Sequence, residues 1–421
     1  MSDHQSAITR HANHMPLTVG QAFNPRSNSI GFLRWLMAFL VIFSHAGPIG
    51  GFYHGEDLGV QISDEQSLGG VAVAGFFFFS GFLITRSRMG RSTIWRYLWR
   101  RCLRIFPAFW TALLLTVGVL APIAWIHGGG TLHGYLHPDK ESPLTYFVSN
   151  MWLHLGQRNI AGMGSQLPYA VNHGAYDWNG SAWTLEYEFR AYLIVAVLGS
   201  LAILANRKLG GLFAGGMIVL NALQWMGAGS VVSVSPLFGN IYNLMFFAPY
   251  CFGMLFALYG DRIPVDDRLA VAGILLGLGT YALGGWNIVG QYGFAYFLMW
   301  LAIRLPLTNW EKHGDLSYGI YIYAWPLMTF SAFFGLQTKG WLVYHLVIVV
   351  GVHVLAYLSW HLIEKPSMEL KNWTPKPVHL VIDRCRPRYE QLLRRLIVPA
   401  FSSSRFATRM LEERGPEGDP R

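Results

Sequence analysis

The sequence predicts an all-α, polytopic membrane bundle of about ten transmembrane helices, with both termini cytoplasmic. Three observations carry that expectation. Of 421 residues, 52% are hydrophobic and only 13% charged, about half the charged fraction of soluble domains. Several apolar runs reach the roughly 20 residues that a helix needs to cross a bilayer. The basic residues gather in short segments beside those runs, as the positive-inside rule asks of a cytoplasmic face. The net charge of +9 is therefore read as topology, with no nucleic-acid partner. Tryptophan (16) and tyrosine (20) are abundant, which suits headgroup-level positions. Cys102, Cys251 and Cys385 are too scattered for a disulfide framework or a zinc site.

Residues 1–28 are polar, hold three histidines and lack the apolar core of a signal peptide. They read as a disordered cytoplasmic tail. The first span is 30–47 and the second 69–85. An acidic, glycine-rich loop with Glu56, Asp57, Asp64 and Glu65 joins them. The segment after the second span carries Arg86, Arg88, Arg91, Arg96, Arg100, Arg101 and Arg104 without one acidic residue. It reads as a cytoplasmic loop before the third span, 105–126. The long segment 127–182 is poor in lysine and arginine and is placed outside, with an interfacial or re-entrant helix at 144–155. Further spans follow at 183–204, 209–228, 241–259, 269–286, 290–304, 317–335 and 341–362, the seventh and eighth as a tight hairpin. Asn206-Arg207-Lys208, DRIPVDDR and Glu364-Lys365-Pro366 then all fall inside. The membrane domain is 29–366, and 367–421 is a basic cytoplasmic tail.

Within the first span, Arg34 and His45 are eleven residues apart. On a helix that is ~1100° of rotation, nearly three whole turns, and a rise of ~16 Å. The two polar groups share one face, Arg34 toward the cytoplasm and His45 toward the outside. Ionisable groups inside a span mark a pathway or a site, although a snorkelling arginine and a hydrogen-bonded core histidine account for the pair equally well. Arg101 and Arg104 sit one turn apart and can clamp phosphates or simply set topology. Glu186 and Glu188, with Arg190, crowd the start of the fourth span and need partners. Phe76–Phe79 reads as packing, and Ser80-Gly81 permits close helix approach. Tyr318 and Tyr321 line a cavity or form an interfacial belt. His127, His133 and His137 lack ligand spacing, and His345, His353 and His361 drift around their helix. No metal site is expected, and no permanently bound cofactor.

Taken together, these motifs resemble the acyltransferase 3 family of integral membrane acyltransferases, over roughly residues 29–370. The quoted matches are Arg34 with His45; the phenylalanine-rich Gly75–Thr85; Arg101-Cys102-Leu103-Arg104-Ile105-Phe106-Pro107; Trp183 with Glu188; Ser317, Tyr318, Tyr321 and Pro326; and Ile363–Pro366. Ala324 stands where many members carry a histidine, which leaves His45 as the main candidate base. The resemblance implies a bacterial inner-membrane enzyme. It would move an acyl group, most simply acetyl, from cytoplasmic acyl-CoA to a hydroxyl of a surface polysaccharide, lipopolysaccharide or other glycan. His45 and Glu188 would be catalytic. Arg34, Arg101 and Arg104 would hold the CoA, and Ser80, Trp183, Tyr318 and Tyr321 the substrates. Partners would be acyl-CoA, the glycan or glycolipid acceptor and membrane lipid, with a homo-oligomer left open. The alternative is a transporter or flippase of a lipid-linked glycan with no acyl chemistry. No inverted repeat supports that alternative.

Overall fold

Helix boundaries follow the capping residues of the sequence. The computed structural model describes residues 16–90, 93–228 and 240–373. Among them, ten long helices follow one another: α1 (Ile30–Gly50), α2 (Leu68–Met89), α3 (Ile94–Leu115), α4 (Trp183–Ser200), α5 (Arg207–Trp225), α6 (Ile241–Tyr259), α7 (Asp267–Leu283), α8 (Gln291–Arg304), α9 (Ser317–Phe333) and α10 (Trp341–Ser359). Side-chain oxygens of Ser67, Thr93, Asn206, Asn240 and Asp266 accept the first backbone N–H groups of α2, α3, α5, α6 and α7, each cap worth about 1 kcal/mol. No β-strand occurs among the described residues beyond isolated bridges. Every predicted span is therefore a helix.

Among the described residues, five stretches are long and apolar enough to cross a membrane: Ile30–Gly50, Leu68–Met89, Ile94–His127, Ile241–Tyr259 and Trp341–Asn372. The protein is a multi-pass membrane protein. The helices at the other five predicted spans have 14 to 19 residues. α10 leaves Leu342, Leu346, Val350, Val354 and Leu358 exposed along one side, the pattern of a helix facing lipid.

Two expectations need correction. The arginine-rich segment after the second span is not a loop. α2 continues through Arg86 and Arg88, and α3 already begins at Ile94, so Arg96, Arg100, Arg101 and Arg104 are presented by a helix. Arginine is a good helix former, and hydropathy windows exclude such a turn only because it is polar. α3 also runs on through a π-type turn, Thr116–Leu120, into Ala121–His127. Within the segment read as a tail, residues 16–28 pack onto the α6–α7 connection. Val19 N–H donates to Ile263 O (2.8 Å) and Val265 N–H to Leu17 O (2.7 Å), and Val19 and Phe23 are buried. In the other tail, Trp99 Nε1 donates to Leu370 O (2.9 Å). Residues 1–15 and 374–421 lie outside the described residues.

The centre of the bundle is the seam between α2 and α6. Phe77, Phe78, Phe79 and Phe82 are buried there, and Phe77 stacks on Phe246 at 4.9 Å. The backbones touch. A Cβ on Gly81 would overlap the Tyr250 carbonyl, and one on Gly253 the Phe78 carbonyl. This is the close approach that Ser80-Gly81 suggested, with α6 as the partner. The α7–α8 hairpin uses the same device, since a Cβ on Gly273 or on Gly293 would lie 2.6 Å from the other's carbonyl oxygen. Glycine is required at these contacts for space, not for backbone torsion.

Gly253→Val should therefore abolish recovery of folded protein or lower its melting temperature steeply. Gly216→Ala on α5, where a Cβ meets nothing within 4 Å, should leave melting unchanged in the same detergent assay.

Candidate active site

The two ends of α1 carry different chemistry. At the Arg34 end, Arg34 Nη1 lies 2.9 Å from Asp315 Oδ2, in the connection before α9. Arg104 from α3 pairs with the same oxygen, and its Nη1 reaches Glu364 Oε2 at 3.2 Å. Ser359 donates to Glu364 Oε1 (3.1 Å), and Tyr323 donates to Ser359 (3.3 Å). The Arg104 guanidinium lies 5.6 Å over the Tyr318 ring, whose hydroxyl donates to Ile105 O (2.8 Å). Two cations thus meet two carboxylates at contact distance, with the Glu311 carboxylate close enough to interact with both arginines. Burial would push the Asp315 carboxyl up. Arg104, then Arg34, together with the hydrogen bonds from Ser317, reverse this and hold it well below the usual carboxylate range. Neither Asp315 nor Glu364 was singled out from sequence. The signal was available: arginines inside a bundle require carboxylates, Glu364 stands inside a motif already quoted, and Asp315 lies two residues before another.

Arg101, one turn before Arg104, sits differently. Its guanidinium lies 5.7 Å over the Tyr192 ring, its Nε is buried without a hydrogen-bond partner, and no carboxylate pairs with it among the described residues. The Tyr192 hydroxyl donates to Glu188, and its backbone oxygen accepts from Tyr97 (3.1 Å). Ser80 Oγ is buried beside Tyr192 with no well-formed hydrogen bond, and the Tyr250 hydroxyl, near Tyr97, Tyr192 and Arg101, is buried without a partner. Buried polar atoms without a partner call for an explanation, and several close together point to a solvated or ligand-binding space. Here three converge between α2, α3, α4 and α6.

Glu186 and Glu188 diverge, as two residues ~200° apart on a helix must. Glu186 pairs with Arg190 and lies 3.0 Å from His154 Nδ1, while Glu188 turns inward to Tyr192. Trp183 packs among Tyr187, Tyr242 and Phe246. The Tyr321 hydroxyl donates to Ser181 O (2.8 Å) and contacts Thr184 Oγ1.

At the other end, the His45 ring meets Trp325 edge-to-face at 4.6 Å. His45 Nδ1 is buried with no hydrogen-bond partner, so Glu188 does not orient it. Nε2 lies toward Gly69, the second residue of α2, where a Cβ would come within 3.9 Å of it. The neighbouring Ser44 donates to Asp57 and accepts from Gly69 N–H (3.0 Å), while Asp57 Oδ1 accepts from Leu68 N–H (2.8 Å). The N-terminal amides of α2 are thereby occupied and leave no oxyanion hole. Trp325 Nε1 donates to Asp177 O (2.8 Å), and Gly180 lies flat against its ring. The Asp177 carboxylate is buried and accepts from Asn179 N–H (3.1 Å) and from the exposed Arg158 (3.2 Å). Burial pushes it up to about 6, against the pull of Arg158. The segment before α4 thus buttresses the histidine through one tryptophan. Sequence reading missed Trp325, whose only signal was its place beside Ala324.

The family comparison fits this geometry. The model of the acyltransferase domain that defines the acyltransferase 3 family matches residues 27–367. The chain belongs to that family. It is an O-acyltransferase, and the transporter reading falls. This acyltransferase 3 member is 29% identical over 367 residues to nodulation protein 10 of Rhizobium leguminosarum bv. viciae, covering 82% of this chain and 94% of the relative. It is 28% identical over 350 residues to an O-acetyl transferase of Shigella phage Sf6, covering 81% and 96%. It is 24% identical over 391 residues to a putative membrane-bound transacylase of Komagataeibacter xylinus, covering 83% and 85%. No solved structure matches the chain.

Asp315→Asn should destabilise the purified protein by about 2–4 kcal/mol, because it leaves the partly buried Arg34 without its carboxylate and Arg104 with Glu364 alone, and Asp315→Glu should recover part of that in thermal melts. Asp177 has the opposite linkage. Its raised native pKa makes its contribution largest below the ordinary carboxylate range, and that contribution is lost as pH rises through about 6. Asp177→Asn should therefore match wild type near pH 3, below the ordinary carboxylate range, and melt about 2 °C or more higher near pH 7.5.

Proposed function

We propose that this enzyme transfers an acyl group, most simply acetyl, from cytoplasmic acyl-CoA to a hydroxyl of a cell-surface glycan or glycolipid, with His45 as general base. The enzyme would sit in the bacterial inner membrane, cross it about ten times and keep both termini inside. The carrying observation is the pair of unpartnered buried groups, His45 Nδ1 and Arg101 Nε. One is a proton acceptor near the outer end of α1, the other a cation on the inner side.

In this reading Arg101 meets the anionic part of the donor, with Arg34 and Arg104 completing a positive wall. The last two are already balanced by Asp315 and Glu364, so Arg101 contributes most of the net attraction. Glu188 sits on this donor side, joined to Arg101 through Tyr192, instead of behind the imidazole. Tyr318 and Tyr321 hold α9 against α3 and the Ser181 turn. Ser80 lines the polar interior, and Trp183 supports the aromatic wall at the outer end of α4. The pantetheine arm would carry the thioester along α1 for the ~16 Å that separates Arg34 from His45. The acceptor oxygen attacks the thioester carbonyl carbon while His45 takes its proton. The tetrahedral centre then collapses, the C–S bond breaks, and the imidazolium returns the proton to the departing thiolate. The products are the ester and free CoA. The phage O-acetyl transferase supports acetyl as the group. The outer segment 127–182 is the natural place for the acceptor.

Cells carrying wild type, His45→Ala or Arg101→Ala test this through mass spectrometry of surface glycan, paired with equilibrium binding of radiolabelled acetyl-CoA to purified protein. His45→Ala should lower ester formation about 10²–10⁴-fold with donor binding retained. Arg101→Ala should weaken donor binding about tenfold, the loss of one charge-assisted contact. Undiminished ester in His45→Ala cells would refute the assignment of the base.

A further inference from the structure

Outside the site described above, one surface feature is built for a ligand of different chemistry. Two overlapping clefts of about 600 and about 520 Å³ share Trp35, Leu316, His353 and Tyr357, and together form a groove between α1, the α8–α9 connection and α10. Each volume lies within the roughly 300–1,000 Å³ range of small-molecule clefts. The groove lies on two stretches long and apolar enough to cross a membrane, and its outward rim on α10, Val350 and Val354, is half exposed.

The ring nitrogens of Trp35 and His353 in the floor are consumed internally. Trp35 Nε1 donates to His353 Nε2 (3.0 Å), and His353 Nδ1 donates to Val349 O (2.8 Å). Both imidazole nitrogens are satisfied in the neutral form, so the floor offers a polar ligand nothing and presents ring edges and methyl groups. Trp35 stacks on Phe39 at 5.3 Å and packs against Trp310 at 4.8 Å, closing the sides with aromatic walls. The length is also informative. From Val349 to Leu358 the groove follows α10 for nine residue steps, a rise of ~13.5 Å. That is close to the ~15 Å of hydrocarbon in one leaflet. One end has a polar mouth. Asn309 and Trp310 line it, Trp310 is 40% exposed as suits an interfacial tryptophan, and the exposed Lys312 follows on the same turn.

We infer that this groove binds one acyl chain of a membrane phospholipid, lying lengthwise in the leaflet on the Arg34 side with its phosphate near Asn309 and Lys312. The occupant is a resident lipid, distinct from donor and acceptor. It has a consequence for the arginine cluster. Gly314 and Leu316 flank Asp315, and Trp35 follows Arg34, so the chain braces from outside the two segments that the Arg34–Asp315 pair joins.

The test is photo-crosslinking of the full-length protein in bilayers containing a phospholipid with a diazirine in its acyl chain, with adducts mapped by peptide mass spectrometry. In wild type, adducts should concentrate on Trp35, Phe39, His353 and Tyr357 relative to Leu275 and Leu278, which are exposed on α7. Val354→Trp fills the groove from an exposed position. It should cut labelling of the groove at least about tenfold, the effect of excluding roughly two methylenes of burial, and leave α7 labelling unchanged. Val350→Trp repeats the block from a second exposed position, should either variant fold poorly. Groove labelling no higher than that of α7 in wild type, or unaffected in both folded variants, means annular lipid only and overturns the inference.

Discussion

One carboxylate oxygen, Asp315 Oδ2, receives both Arg34 and Arg104. Through it α1, α3 and the start of α9 meet at one point, and through Glu364 the end of α10 joins them. Transferring a guanidinium alone into such surroundings costs several kcal/mol, and attraction repays this only with close, well-supplied geometry. The structure supplies that geometry from four segments distant in sequence. Every segment must therefore arrive in register for any of them to be stable there. That makes the cluster a registration device as much as a binding surface, and it explains why both carboxylates stand in short polar motifs at helix ends. A donor phosphate approaching Arg34 or Arg104 must compete with a carboxylate already in place. Arg101, stacked on Tyr192, faces no such competitor.

The His45 end follows the opposite logic. Its imidazole has packing partners but no hydrogen bond at Nδ1, so geometry is imposed by Trp325, by the Ser44–Asp57 tie and by the small Gly69. Trp325 in turn is fixed by the Asp177 backbone, not by a charge. The two buried loop carboxylates of the molecule's two ends are consequently perturbed in opposite directions. Two arginines keep Asp315 ionised, whereas burial with one exposed arginine resists ionisation of Asp177. The bundle thus has a strong ionic register at one end of α1 and a softer aromatic support at the other.

Much of this was legible in the sequence, for physical reasons. Apolar length fixed the existence of the helices. The three-turn spacing placed Arg34 and His45 on one helix, and Ser80-Gly81 foretold a close contact without naming α6 as its partner. What could not be read was long-range pairing. Nothing local to Asp315 says that it answers Arg34 and Arg104, some 280 and 210 positions away. The demand for two buried carboxylates was nonetheless calculable from the arginines alone. The start of α3 was missed because hydropathy and helicity are different properties, and an arginine-rich turn satisfies only the second. Trp325 was missed because aromatic residues in a span are most often packing, and only its neighbour shows that this one is not.

Charge balance then separates three arginines that sequence spacing treated alike. Arg34, Arg104, Asp315 and Glu364 sum to zero within one set of contacts. Arg101 lies a turn away, its charge over an aromatic face and its Nε unsatisfied, beside the unpaired hydroxyl of Tyr250 and the poorly satisfied Ser80. Glu188 is the carboxylate tied to this group, reaching it through the Tyr192 hydroxyl, and among the described residues no carboxylate pairs with the guanidinium directly. A site meant only to be stable would have closed that gap with a direct ion pair, as the neighbouring cluster does. Polar groups left unpaired in the interior, next to a cluster where every charge is matched, favour a place where the missing partner is brought by the substrate.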